Sequence, residues 1–267
     1  MPDLDVYELF AVKYATHDRT QELNFVDPPD PHEAQPIDYF VWAAVSGART
    51  FVIDMGFTAE VAEKRGRTHL RCPADALGLI GIDAKTVKDV IVTHFHYDHI
   101  GNFDKFPGAD FHLQDREMAF ATGRHMLDAK QGSSMNVDDV VGMVRHVFAE
   151  RVVFHDGDVD LAPGISLHHI GGHTDGMQVV RVNTRRGNVV VASDACHLYA
   201  NMETRNPYPV IFEIDKVLAG YVRLKELADT PDHIVAGHDP LVMELYPPVS
   251  GDLEGIAVRL DESPRKL

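Results

Sequence analysis

The chain has 267 residues, with 41 Asp and Glu against 25 Lys and Arg, and a formal net charge of −16. So acidic a chain gains nothing from a polyphosphate backbone, which argues against nucleic acid as a partner. Its two cysteines, Cys72 and Cys196, form neither a CxxC pair nor a disulfide framework, and the longest apolar stretch, near residues 39–45, is far too short to cross a bilayer.

The amino terminus lacks a basic segment followed by an apolar one, so no secretory signal is read there, and the expected location is cytoplasmic. Residues 6–15 alternate like a first strand. Residues 17–37 are polar and proline-rich, a loop long enough to expect a role in capping a site or forming a homodimer. Residues 39–56 read as two strands joined at Ser46-Gly47, and 73–82 as a helix with Pro73 in its first turn. A buried strand at 89–94 is followed by another at 109–114, a helix from Asp115, and a helix over 136–150 with Asn136 as N-cap. The second half returns to strands near 151–156, 164–172, 177–184 and 187–195. A helix over 213–228 and a short strand at 233–238 follow. After Pro247 an edge strand and a frayed end are expected, and no helix is read after His238. No linker divides the chain, so residues 1–267 are expected to form one α/β domain with two packed sheets and helices outside.

Five apolar strands end on residues of metal-ligand type. They deliver Asp54, the run His94, His96, Asp98, His99, then His173, Asp194 and His238. Strand ends on one side of a sheet are neighbours in space. Neutral imidazoles with carboxylates suit zinc or a similar divalent ion. His94 and His96 share a face of an extended strand, whereas Asp98 and His99 lie beyond a turn, which fits two metals better than one. A single histidine after a strand is ordinarily a core or surface residue, and His168 and His169 keep that reading. The cluster at 94–99 does not, because crowding titratable groups is costly unless something stabilises them.

The stretch THFHYDHIG at 93–101 resembles the HxHxDH signature of the metallo-β-lactamase superfamily. GGHTDG at 171–176, SDA at 193–195, AGHD at 236–239 and VIDMG at 52–56 resemble its other landmarks, in order. The resemblance implies a four-layer αββα sandwich. It implies a first metal on His94, His96 and His173, a second on Asp98, His99 and His238, and Asp194 between them. Asp54 would orient a ligand histidine. Two Zn2+ per chain are expected, with manganese, iron or cobalt as alternatives.

Two adjacent metals suit hydrolysis, by attack of a metal-bound hydroxide. Class B β-lactamases commonly have cysteine where this chain has aspartate. Cys196, two residues past Asp194, reads as a buried inert thiol. Glyoxalase II resembles this ligand set but adds a helical carboxyl-terminal segment. Thioester hydrolysis is therefore the second reading, and a non-enzymatic metal-binding module the third. The stronger resemblance is to the N-acyl-homoserine-lactonase-like family, which implies opening of a small lactone or ester. That family commonly places tyrosine three residues after the bridging aspartate; here the position is His197, with Tyr199 two further on. Asp98 is expected to shuttle a proton, and His197 or Tyr199 to contact the developing oxyanion or merely to fill the loop. Arg65, Arg67 and Arg71 form a basic group that would suit a carboxylate-bearing substrate, a solvated loop being the plainer reading. Met126, Met135, Met143 and Met202 are candidates for an apolar pocket wall, with core packing as the default.

Overall fold

The computed structural model describes residues 4–47 and 49–265. In chain order its strands are β1 (Glu8–His17), β2 (Ile37–Ser46), β3 (Arg49–Ile53), β4 (Thr68–His69), β5 (Asp89–Ile91), β6 (Asp110–Gln114), β7 (Val152–His155), β8 (Val159–Ala162), β9 (Ile165–His169), β10 (Gln178–Thr184), β11 (Gly187–Ser193), β12 (Ile234–Ala236) and β13 (Ala257–Arg259). The α-helices are α1 (Ala59–Arg65), α2 (Pro73–Leu79), α3 (Asp115–Ala121), α4 (Ala129–Ser133), α5 (Val137–Phe148), α6 (Tyr199–Glu203), α7 (Ile214–Leu227) and α8 (Leu241–Leu245).

The first sheet runs β13-β1-β2-β3-β5-β6-β7, with β4 pairing on β1; the second runs β12-β11-β10-β9-β8. Strand periodicity explains the layers, because successive side chains face opposite sides. In β2, Phe40, Trp42 and Ala44 face the second sheet, where they meet Val180 and Val182 of β10 and Val189 and Val191 of β11. The intervening Tyr39, Val41 and Ala43 pack on the other side, with Ala62 of α1, Leu77 of α2 and Met143 of α5. Val179, Val190 and Ala192 on the far side of the second sheet pack against Val217, Tyr221 and Leu224 of α7. The result is the αββα sandwich that the family resemblance implies, with the two packed sheets read from the chain's own elements.

β3, β5, β6 and β7 are mutually parallel, as are β11 and β12. Their carboxyl ends therefore open on one rim. The remaining second-sheet pairs are antiparallel, and the β9–β10 connection returns to the same rim.

The longer predicted elements are present: α2, α5 and α7 start within a residue of their expected positions, and β13 is an edge strand on β1. The last two residues, expected to fray, lie outside the described ones. The expectation of no helix after His238 is corrected by α8. At five residues it is too short to display helical periodicity. Among the described residues no helix is long and apolar enough to cross a membrane.

Candidate metal centre

The rim is organised by Asp54, which follows β3 in the left-handed region at φ 61°. Its backbone N–H donates to Ile91 at 2.8 Å, tying the end of β3 to the end of β5. Its carboxylate accepts from Thr93 N and Thr93 Oγ1, both at 2.8 Å, and lies 2.7 Å from His99 Nδ1. A fully buried carboxylate on Nδ1 fixes the imidazole so that Nε2 faces the rim. Burial alone drives the Asp54 carboxyl upward from its ordinary range, and His99 opposes that rise. Thr93 Oγ1 also lies 3.0 Å from Ser193 Oγ, which links the two sheets beside Asp194.

The other imidazoles are oriented through backbone carbonyls. His173, on the β9–β10 connection, places Nδ1 2.8 Å from Val210 O, and His238, past β12, places Nδ1 2.8 Å from Asp38 O. His238 N–H donates to His197 O at 2.9 Å.

Ligand-type atoms converge as two groups, His94, His96, His173, Asp194 and Asp98, His99, Asp194, His238, each within 4.8 Å of one another. Asp194 belongs to both. Its Oδ2 lies 3.2 Å from His173 Nε2 and 3.6 Å from His94 Nε2. Its Oδ1 lies 3.2 Å from His99 Nε2 and 2.9 Å from His238 Nε2. Asp98 Oδ2 is 3.6 Å from both His99 Nε2 and His238 Nε2. Ligands about 2.1 Å from a tetrahedral ion stand roughly 3.4 Å apart, so these separations fit a shared divalent cation in each group. His94 Nε2 and His96 Nε2 are buried without a hydrogen-bond partner, which is costly unless a cation satisfies them.

The electrostatics agree. Burial, reinforced by neighbouring imidazoles, holds His94 and His96 well below the usual histidine range, in the neutral form that ligates. Burial would raise Asp194, but the imidazoles of His197, His238, His99 and His94 outweigh it and hold the carboxyl well below its ordinary value.

His197 lies against this centre, its Nε2 3.0 Å from Asp194 Oδ2. Burial pulls it down to about 3. Tyr199, expected on the same face, is a correction. The segment does not stay extended: Leu198 N–H donates to Asn201 Oδ1 at 3.0 Å, and Tyr199 opens α6. Its ring packs beside the apolar cores and lines a separate cavity of ≈1240 Å3 with Asp239, Leu241 and Tyr246. Cys196 is buried, outside both ligand groups, and burial pushes its thiol upward. Met135, Met143 and Met202 are core residues, and none of the four candidate methionines lines the cavity over the metal centre. Arg65 and Arg67 do line it; Arg71 turns away to donate to Lys13 O.

Three residues escaped the sequence reading. Tyr208 stacks on His197, centroids 3.8 Å apart and planes within 6°. Arg19, from the 17–37 loop, donates to the Tyr208 hydroxyl. Glu117 at the start of α3 accepts from Phe95 N at 2.7 Å, Thr174 Oγ1 at 2.6 Å and Gly176 N at 3.0 Å, joining the His94–His96 segment to the His173 loop. Burial pushes its carboxyl up to about 7. The buried Glu117 carries no ligand-like spacing, and its i+3 position in an ordinary helical stretch gives no signal.

A family model described as the Metallo-beta-lactamase superfamily matches residues 37–238. The chain belongs to the metallo-beta-lactamase superfamily. Within it, the chain is similar to an N-acyl homoserine lactonase of a Bacillus species, 27% identical over 163 residues, and to one of Bacillus thuringiensis, 25% identical over 164. Each match covers 60% of this chain and 59% of the relative, so the chain spans about three-fifths of the length of these relatives. Among solved structures it is similar to an N-acyl homoserine lactone hydrolase with the product N-hexanoyl-L-homoserine bound at its catalytic metal centre. The TM-score is 0.75 at 18% identity, covering 90% of this chain and 96% of that one. That likeness is one of fold.

Proposed function

We propose that this chain is a dinuclear-metal hydrolase that opens small lactones. The carrying observation is the pair of ligand groups sharing Asp194 on the floor of a ≈240 Å3 cavity. His94, His96 and His173 would hold one divalent ion, Asp98, His99 and His238 the other, with Asp194 between. Two zinc ions are the expected occupants, and the nitrogen–oxygen ligand set also suits manganese, iron or cobalt. When bound, such ions supply an activated water and a Lewis acid for the acyl oxygen.

The side chains do the rest. Asp98 lines the cavity and accepts the proton released during attack, then returns it to the ring oxygen as the acyl C–O bond breaks. Tyr208 takes the oxyanion role expected of Tyr199. Arg19 donates to its hydroxyl oxygen, which leaves the phenol proton free to donate into the cavity. The stacked His197 ring holds that phenol in place. The family model stops at residues 37 and 238, yet β1 and β13 pair in the same sheet as β2. This supports reading residues 1–267 as one domain. The reading also includes a cytoplasmic site of action, suited to two free cysteines, and a homodimer through the 17–37 loop, which exposes Leu23 and Val26; light scattering giving a monomer mass would remove the dimer.

The test is a substrate panel on metal-assayed protein. Lactones are expected to exceed β-lactams and lactoylglutathione by at least about tenfold in kcat/KM. Preference for lactoylglutathione would move thioester hydrolysis to the front. No turnover of any member by protein carrying two ions would favour a binding module.

A further inference from the structure

The wall above the metal centre carries an unusual charge arrangement for so acidic a protein. Arg19, from the 17–37 loop, and Arg65 and Arg67, at and just past the end of α1, line the same cavity as Asp98 and Asp194. Five other arginines pair with acids, Arg49 with Asp5, Arg116 with Asp175, Arg185 with Glu262, Arg223 with Asp158 and Arg259 with Asp261, while others, such as Arg151 and Arg181, donate to backbone carbonyls away from this cavity. Among the described residues, no carboxylate lies within ion-pair distance of Arg19, Arg65 or Arg67.

Their hydrogen bonds go to neutral groups instead. Arg65 donates to Ser133 O at 3.0 Å and Met135 O at 2.8 Å, and its guanidinium carbon sits 3.9 Å from the Tyr97 ring centroid. Arg67 Nε donates to the Tyr97 hydroxyl at 3.0 Å, and its Nη1 donates to Arg65 O at 2.5 Å. Arg19 donates to the Tyr208 hydroxyl and to Leu23 O at 2.5 Å, leaving its buried Nε without a partner. These contacts fix the planes of the three groups and leave them without an ion-pair partner. Fixed guanidiniums are well suited to a planar carboxylate, which they can take with paired N–H donors.

The cavity's size and lining point the same way. At ≈240 Å3 it is smaller than the roughly 300–1,000 Å3 of a typical drug-sized ligand site. Ile37 and Val210 are the aliphatic residues among its lining, so it offers no long apolar slot for an acyl chain.

We infer that the substrate is a compact lactone bearing a carboxylate, held by Arg67 with Arg19 and Arg65 flanking. This rests on the lactone-hydrolase reading and names its substrate class. Water adds its oxygen to the acyl carbon and the ring C–O bond breaks. One proton goes to the ring oxygen and one is released, so the product is a hydroxy dicarboxylate.

The experiment compares a γ-lactone carrying a carboxylate with its carboxamide, using metal-loaded protein. The acid is expected to be at least about tenfold better in kcat/KM. In Arg67→Gln that ratio should fall toward one, and Arg67→Lys should restore part of it. Should Arg67→Gln fail to fold, Arg19→Gln serves as the second variant. In parallel, glutarate binding is measured by calorimetry and should weaken at least about tenfold in the glutamine variants.

If the amide is turned over as well as the acid, and glutarate binds the variants as it binds the native chain, the carboxylate clamp is overturned while lactone hydrolysis stands. If neither lactone is hydrolysed but glutarate binding depends on the arginines, the lactone reading fails and the clamp survives. Arginine-independent glutarate binding with no turnover sinks both.

Discussion

Glu117 shows how much a single carboxylate can carry without touching a ligand. Its two oxygens accept three hydrogen bonds, from the residue between His94 and His96 and from the loop that bears His173. Glutamine offers one accepting oxygen, so in Glu117→Gln an N–H donor faces an NH2 group. That change is expected to cost about 1–3 kcal/mol of stability and to weaken metal binding by roughly 10–100-fold. Thermal melting and competitive chelator titration read the two effects; a native metal affinity in the variant would remove Glu117 from the metal centre. Tyr208→Phe should lower kcat by about tenfold while metal content stays unchanged, and an unaltered kcat would strip the phenol of its oxyanion role. Among single residues, ligand-type side chains were legible because they cluster and recur at strand ends. Tyr208 and Arg19 were not, because they reach the cavity only through contacts between segments nearly 190 positions apart. Tyr199 misled because the sequence offers no sign that Leu198 ends an extended segment.

At the scale of elements, the rim depends on how closely the ends of β11 and β12 approach. A Cβ built on Gly237 would stand 2.5 Å from both the carbonyl carbon and oxygen of Ser193. Those atoms are backbone, so they cannot swing aside. Gly237→Ala is therefore expected to force Asp194 and His238 apart, costing about 1–3 kcal/mol and most of the second ion. Melting and metal analysis of the purified variant check this; full metal content would show that the rim tolerates the shift. The 17–37 loop is tied down by Val26 N to Pro207 O at 2.9 Å and by Asn201 Nδ2 to Asn24 O at 3.0 Å, beside Tyr208. Replacing residues 24–34 with a short flexible link should raise KM at least about threefold by freeing Tyr208 and Arg19, which steady-state kinetics would reveal. Long strands and α5 and α7 were legible because several turns or alternations repeat their pattern. β4, α4, α6 and α8, with two to five residues each, repeat nothing.

The molecule joins two sheets at one rim and gathers there more imidazoles than carboxylates. Metal uptake should therefore be coupled to protons. Burial pulls His99 down, but the carboxylates of Asp194, Asp98 and Asp54 outweigh it and hold the imidazole well above its ordinary value. His238 is raised in the same sense, burial again being outweighed by Asp194. Without metal these two imidazoles hold their protons to a higher pH than a free histidine, and they must lose them in order to ligate. Zinc binding at pH 7 should release protons, and apparent affinity should fall as pH falls. Calorimetry in two buffers of different ionisation enthalpy measures the number released, and a value of zero would contradict the assigned ligands. Two packed sheets with helices outside were legible from the order of strands and helices, whereas the four-layer sandwich was implied by the resemblance of five strand-end motifs to one family. The most direct check is the number of metal ions bound per chain, determined by elemental analysis after zinc saturation and removal of excess. Two ions for the native protein, with at most one in His96→Ala, is the expected result. One ion or none in well-folded native protein would contradict the paired centre on which this account rests.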